Sequence, residues 1–271
     1  MIAEDARDLL ENHFAVLAAP PESPVFSASA ADLPERGNML ALLDTYGPLI
    51  KALDRSAAAV YFANLFGNLA SGLLVSLSLY GRSFDASLGN MTIHLFHAAN
   101  HYRFGYQLAD AGLLAIPNGA GREQDVLAAL GRFFGQTVRP LYEACAAVGD
   151  VPISHAWGLL PSRMLYFVEH YADKAAQAGD AAGAARLRSD YAAIKRQLGL
   201  DVFGLAKHPF DIVIRTVEDM ADPSKQLRMK NACCLYYRTE GGDYCYTCPR
   251  LKESVRAERR AAYRSKAEAA R

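Results

Sequence analysis

The sequence predicts an α+β fold that is predominantly α-helical: a helical main domain with a small β element, followed by a C-terminal segment that gathers most of the cysteine. Three observations lead there. Apolar residues recur at helical spacing over most of the chain. Residues 91–108 have the β-branched and aromatic content of two paired strands. Of the 5 cysteines, all but Cys145 fall between residues 233 and 248. With 271 residues, 51% of them hydrophobic, the chain can bury a sizeable core without covalent help. The boundaries expected are 1–55 for a helical lead-in, 56–220 for the main domain and 221–271 for the cysteine segment with its tail.

Residues 1–55 read as short helices separated by loops. EDARDLLENHFAVL is amphipathic, APPESPVFSAS interrupts it, and NMLALLDTYGPLIKALDRS resumes the period. The opening MIAEDARDLLENHF places acids where an export signal needs a basic start and an unbroken apolar run, so a cytoplasmic protein is expected. Residues 56–81, SAAAVYFANLFGNLASGLLVSLSLYG, carry no charge and are long enough to cross a bilayer. The pattern favours a buried helix of a soluble protein instead. Asn64, Asn68, Ser71 and Ser78 collect on one helical side, where lipid would penalise their unpaired groups.

GRSFDASLGN is turn-rich, and MTIHLFH and YRFGYQL form the expected hairpin across AANH. From 122 to 198 the chain returns to helix in three pieces divided by Gly, Pro and Asp, with DKAAQAGDAAGAA as a solvated helix end and loop. FDIVIRTVED reads as a strand. From 250 to 271 the tail carries eight Lys or Arg against three Glu, spaced to permit a solvated helix. Over the whole chain Lys plus Arg balances Asp plus Glu at 29 each, so no global charge points to nucleic acid or an anionic membrane.

The cysteine block NACCLYYRTEGGDYCYTCPR has the spacing C-C-x10-C-x2-C: Cys233, Cys234, Cys245 and Cys248. In a reducing compartment such clusters are metal ligands or redox groups rather than disulfides. Four thiolates suit either tetrahedral zinc or the two irons of a [2Fe-2S] cluster. Zinc is usually gripped by two knuckles, and only Cys245 and Cys248 form one; adjacent cysteines point apart and suit a wider, two-iron target. Gly241-Gly242 suggests a hairpin. A regular hairpin would set Cys245 opposite Arg238, about 13 Å along the strand from Cys234. The strand is therefore expected to break near Tyr244, with the chain curling so that amides point at sulfur. Tyr236, Tyr237, Tyr244 and Tyr246 are available to exclude water, and Pro249 follows the last cysteine as in bacterial ferredoxin runs.

These residues, in the setting RMKNACCLYYRTEGGDYCYTCPRL, resemble the siderophore-iron reductases of the FhuF type, whose C-terminal [2Fe-2S] domain has the same adjacent pair. PISHAWGLLPSRMLYF also resembles that family's main domain, more loosely. The resemblance implies a cytoplasmic oxidoreductase, with Cys233, Cys234, Cys245 and Cys248 holding a [2Fe-2S] cluster that passes one electron to the Fe(III) of a ferric siderophore, such as a hydroxamate, and releases Fe(II). Hard oxygen ligands hold Fe(III) better than Fe(II), so the added electron loosens the chelate.

Substrate-binding candidates are Trp157 and Arg163, an aromatic face and a guanidinium for an oxygen-rich iron centre, and His101 and Arg103 as pocket-lining residues. In the strand reading His94 and His97 face opposite ways, which disfavours a metal site there. Cys145 reads as a buried structural thiol. The basic tail is a candidate dock for an electron donor such as a ferredoxin, a flavodoxin or a flavin reductase, or for the inner face of the cytoplasmic membrane. The rival readings are a zinc-binding interaction or regulatory module, and a redox-sensing iron-sulfur protein without a siderophore substrate.

Overall fold

In the computed structural model, which describes residues 5–117 and 119–269, Asp5 caps the first helix, α1 (Ala6–Phe14), by accepting the amides of Arg7 and Asp8. The first four residues of the opening segment and the last two of the basic tail lie outside the described residues. The chain continues through β1 (Val16–Leu17), β2 (Phe26–Ser29), α2 (Arg36–Leu49) and α3 (Arg55–Val75), which runs on into a π-helical turn at Ser76–Tyr80. Next come β3 (Arg82–Ser83), the hairpin β4 (Met91–Ala98) and β5 (His101–Leu108), and β6 (Leu114–Ala115), which pairs back onto β3. α4 (Arg122–Phe133), a second π turn (Phe134–Val138) and α5 (Arg139–Gly149) follow without a break. α6 (Ile153–Gln177), α7 (Ala181–Gln197) and the single turn α8 (Leu200–Phe203) complete the helical body. A ribbon of β7 (Thr216–Glu218) and β8 (Gln226–Arg228) precedes the cysteines, and α9 (Glu253–Ala269) follows them.

The α+β, predominantly helical architecture is the expected one, and its main sheet has the order β1-β5-β4-β2. β4 and β5 pair antiparallel from Met91↔Leu108 to Ala98↔His101, so the hairpin falls where the sequence placed it. β1 runs parallel to β5 and β2 antiparallel to β4. Here the sequence reading needs correction: residues 15–29 are not merely a break between helices but supply both edges of the sheet. Strands of two and four residues carry too few alternating positions to declare themselves, and only the neighbouring edge selects them. The lead-in also shares the main core, since Leu9, Phe14, Leu33, Met39 and Leu42 lie in one buried cluster with α3.

The uncharged helix is a core helix. From Arg55 to Tyr80 its mean hydropathy reaches 1.5 over a window that is 78% buried within the protein, packed on α5 and α6. Its buried serines and Asn68 find protein partners, as burial demands. Asn68 accepts a bond of 2.9 Å from Arg163, and Ser78 donates one of 2.7 Å to Asp190, which is also ion-paired with Arg122 at 2.7 Å.

Two further expectations change. Only Thr216–Glu218 of FDIVIRTVED forms a strand, because the preceding residues have no edge to pair with; Val213 and Ile214 are exposed. The C-terminal tail is a helix, but α9 is not merely solvated, as its contacts with the cysteine segment show below.

Candidate metal centre

The cysteine segment is seated at one end of the α3/α6 layer. Ala57 and Val60 of α3 and Leu159 of α6 form a small buried cluster with Cys233, Cys234, Leu235, Cys248 and Leu251. Gly158 lets the two pieces approach: a Cβ there would stand 3.0 Å from that of Ala232. Main-chain bonds tie the segment to the loop before α3, from Leu53 N–H to Arg238 O (2.9 Å) and from Glu240 N–H to Lys51 O (2.9 Å). Arg238 adds an ion pair with Asp54 at 3.2 Å and donates to Ser56 Oγ at 2.7 Å.

No hairpin forms. After the adjacent cysteines Leu235 adopts the left-handed conformation (φ 57°) and a 3-10 turn follows at Tyr236–Arg238. Gly241 is also left-handed (φ 69°), and a Cβ on Gly242 would lie 2.0 Å from Tyr236 O, so the second turn depends on glycine. Among the described residues no strand forms after Arg228 at all, where a break near Tyr244 was expected, and the consequence is the one the spacing required: Cys234 and Cys245 come together with sulfurs 3.6 Å apart. Cys248, held by its N–H to Cys245 O at 2.9 Å, brings its sulfur to 3.5 Å from that of Cys233.

The four thiols thus meet as two pairs, and the adjacent cysteines belong to different pairs. Two thiolates on one tetrahedral metal at ~2.3 Å stand roughly 3.8 Å apart, close to both observed separations. A single zinc ion would need all four sulfurs at that mutual spacing. Among the described residues, no group of three or more His, Cys, Asp or Glu converges in that way. Two pairs side by side match two irons, each with two terminal thiolates.

Electrostatics divide the pairs. Lys230 Nζ donates to the sulfurs of Cys234 and Cys245 at 3.2 and 3.3 Å. Burial pulls the Lys230 ammonium down, but the facing Cys234 and Cys245 outweigh it and hold it above its usual value. The Cys234 thiol is lowered to about 5, first by the bond with Cys245, against burial, and then by Lys230; Cys245 is raised by the same bond, so one proton serves both. Cys233 is pushed up to about 11 by burial, partly offset by the Leu235 amide that points at its sulfur. The Tyr236 amide points likewise at Cys234. His155 donates from Nε2 to Cys233 O at 2.6 Å, which fixes its tautomer and anchors the segment to α6.

α9 closes the segment from the other side. Arg256, only 3% exposed, donates to Tyr246 O (2.9 Å), Cys248 O (3.1 Å) and Leu251 O (3.1 Å). Arg259 donates to Tyr244 O at 2.6 Å and pairs with Asp243, while Arg260 donates to the Tyr246 hydroxyl at 3.0 Å. Arg264 reaches Glu218 at 2.5 Å. Arg256, Arg259 and Arg260 therefore hold the metal-binding loop and Arg264 the end of β7, which leaves Lys252 and Lys266 among the tail's exposed cations. Of the tyrosines, Tyr237 and Tyr244 pack beside the thiols with ring centroids 4.6 Å apart and planes tilted by 37°; Tyr246 turns away to donate to Glu218 O, and Tyr236 is exposed.

The sequence-derived substrate residues separate. Trp157 is wholly buried between Tyr142, Phe134 and Phe203 and is a core residue, which corrects its reading as a ligand-facing aromatic. Arg163, His101 and Arg103 line one cavity of about 330 Å³ with Asn68. Arg163 also lines a second cavity of about 550 Å³, bounded by Tyr166 and Ile214 and reaching Lys230, Asn231 and Thr247 beside the thiols. The Asn231 Nδ2 is buried in its wall without a hydrogen-bond partner. Among the described residues Arg163 has no carboxylate partner, only the Asn68 amide and the Phe167 ring 5.4 Å away. Cys145 is the buried thiol expected, donating to Ala59 O at 3.3 Å. His94 is buried between Ser27 and Gln107 and His97 is exposed, consistent with opposite strand faces.

Sequence reasoning missed Lys230, His155 and the arginine clamp. The clamp had a signal, since Arg256, Arg260 and Arg264 recur every four residues on one helical face. Lys230 and His155 had none beyond proximity to cysteine or tryptophan.

Residues 231–250 match the family model of the FhuF 2Fe-2S C-terminal domain, so the chain carries a 2Fe-2S-binding segment that contains all four paired thiols. No curated protein matches the chain.

Proposed function

We propose that this protein is a ferric-siderophore reductase, in which the FhuF-type 2Fe-2S segment delivers single electrons to chelated Fe(III) in the neighbouring cavity. The observation that carries the reading is the placement of the Cys234–Cys245 pair, through Lys230, at the wall of the cavity of about 550 Å³. When bound, the 2Fe-2S group supplies a one-electron store, taking an electron from a donor protein and giving it to Fe(III), which leaves as Fe(II). Everything else is positioning. Arg163, charged and without an acidic partner, faces the cavity where the oxygen ligands of a chelate would lie. Tyr166 and Ile214 offer apolar cover for a chelate backbone. Fe(III) held by hard oxygen donors, hydroxamates among them, binds less tightly once reduced, so release needs no acid, base or nucleophile.

The reaction belongs in the cytoplasm, where reductants keep thiols free and a ferredoxin, flavodoxin or flavin reductase can serve as donor. Anaerobically purified protein tests the reading. It should contain two irons and acid-labile sulfide, lost in Cys248→Ser, and its reduced form should be reoxidised by ferric siderophores with Fe(II) trapped in equal amount. Colourless protein with zinc supports the interaction module instead. A reduced cluster that no ferric chelate reoxidises supports a redox sensor.

A further inference from the structure

Lys230 stands between the thiols and the cavity in an arrangement that its sequence position does not announce. Its main chain is fixed, the N–H bonding to Thr247 O at 3.0 Å and the preceding Met229 N–H to Arg215 O at 2.9 Å. Its ammonium lies 3.2 Å from the sulfur of Cys234 and 3.3 Å from that of Cys245. Among the described residues no carboxylate pairs with it, so these sulfurs are its charge partners. The other pair is treated differently: Cys233 and Cys248 pack with Leu159 and Leu251, and the nearby Arg256 reaches the Cys248 carbonyl rather than a sulfur. The cation in contact with sulfur therefore lies on the cavity side.

A redox group gains one negative charge when reduced. A fixed positive charge at hydrogen-bond distance from two of its ligands stabilises the reduced form more than the oxidised one, which raises the potential. Lysine suits this task because its charge is compact and unshared.

We propose that Lys230 sets the reduction potential of the bound 2Fe-2S group, acting as a positioning residue whose ammonium favours the added electron from the Cys234–Cys245 side, next to the cavity. The inference rests on the 2Fe-2S reading of residues 231–250. Its direction toward the cavity rests also on the proposed reductase function.

Dye-mediated potentiometric titration of the full chain, followed by visible absorbance in the absence of any siderophore, tests it. Lys230→Met should keep parental iron and sulfide content yet shift the reduction equilibrium at least tenfold toward the oxidised form, a potential more negative by about 59 mV for one electron. Lys230→Arg, which keeps the charge, should stay within threefold of the parent. An unchanged midpoint in iron-replete Lys230→Met overturns the proposal. So does loss of iron from Lys230→Met and Lys230→Gln while Lys230→Arg loads normally, since Lys230 would then serve assembly. Because no siderophore is present, failure of the reductase reading leaves this result standing, and the two can fall separately.

Discussion

Replacing Arg256 with methionine should open the metal-binding loop without unfolding the domain. Methionine keeps much of the aliphatic stem but removes a guanidinium that is 3% exposed and donates to three carbonyls, those of Tyr246, Cys248 and Leu251. A hydrogen bond from a charged donor contributes about 1.5–3 kcal/mol, and a buried acceptor left alone costs about 1–3 kcal/mol. Such bonds share one donor and do not add fully, so a loss of about 3–5 kcal/mol is a reasonable scale. The lower figure already multiplies the open fraction of the loop more than a hundredfold, at 1.4 kcal/mol per factor of ten. The effect should be confined to the C-terminal segment, because the hydrogen bonds of Arg256 go to Tyr246, Cys248, Leu251 and Glu253. Native-state hydrogen exchange of the apo protein, read by mass spectrometry, should show faster exchange in residues 244–251, with peptides from α3 as the unchanged internal standard. Iron retained after anaerobic desalting should fall in parallel. Exchange in 244–251 within twofold of the parent would refute the view that α9 fastens the loop.

Other perturbations separate the parts of the structure. Gly242→Ala should abolish iron loading, because its Cβ would meet Tyr236 O at 2.0 Å, whereas Gly241→Ala has open space and should load iron with a penalty of about 1 kcal/mol for its positive φ; iron-to-protein ratios and thermal melts distinguish the two. Arg122→Met leaves the buried Asp190 carboxylate bonded only to Ser78, so a destabilisation of about 3–5 kcal/mol is expected, and calorimetry should show the melting temperature falling by roughly 10 °C. In apo protein Cys234 loses its proton as pH rises through about 5, so its alkylation rate should stop rising above about pH 6, while ordinary thiols continue to gain reactivity toward pH 8.5. Cys145, buried with its thiol pushed up, should react only after unfolding; peptide mapping reads both.

What was legible in the sequence was what local pattern determines. The β4/β5 hairpin, the uncharged core helix and the four-thiol metal chemistry of C-C-x10-C-x2-C each follow from neighbours along the chain. The conflict between a regular hairpin and a shared metal site even indicated that the strand must fail. Features fixed by distant partners were hidden. β1 and β2 exist because the hairpin offers them edges, and Trp157 is core because Phe134, Tyr142 and Phe203 close on it from three other places. Val213 and Ile214 show the converse, strong strand formers left extended for want of a partner. Lys230 was silent because a lysine four residues before a cysteine has no distinctive spacing; only the fold of the loop turns it onto sulfur.

The clamp residues all follow the last ligand in the chain. Translation proceeds from the N-terminus, so Cys233 to Cys248 are made ahead of Arg256, Arg259 and Arg260. Until α9 has emerged the thiols have a platform, the α3/α6 layer, but no fastening. Seating the loop and fastening it are therefore separable steps, and the second waits for α9 to pack, because the guanidinium that ties the Tyr246, Cys248 and Leu251 carbonyls comes from that helix.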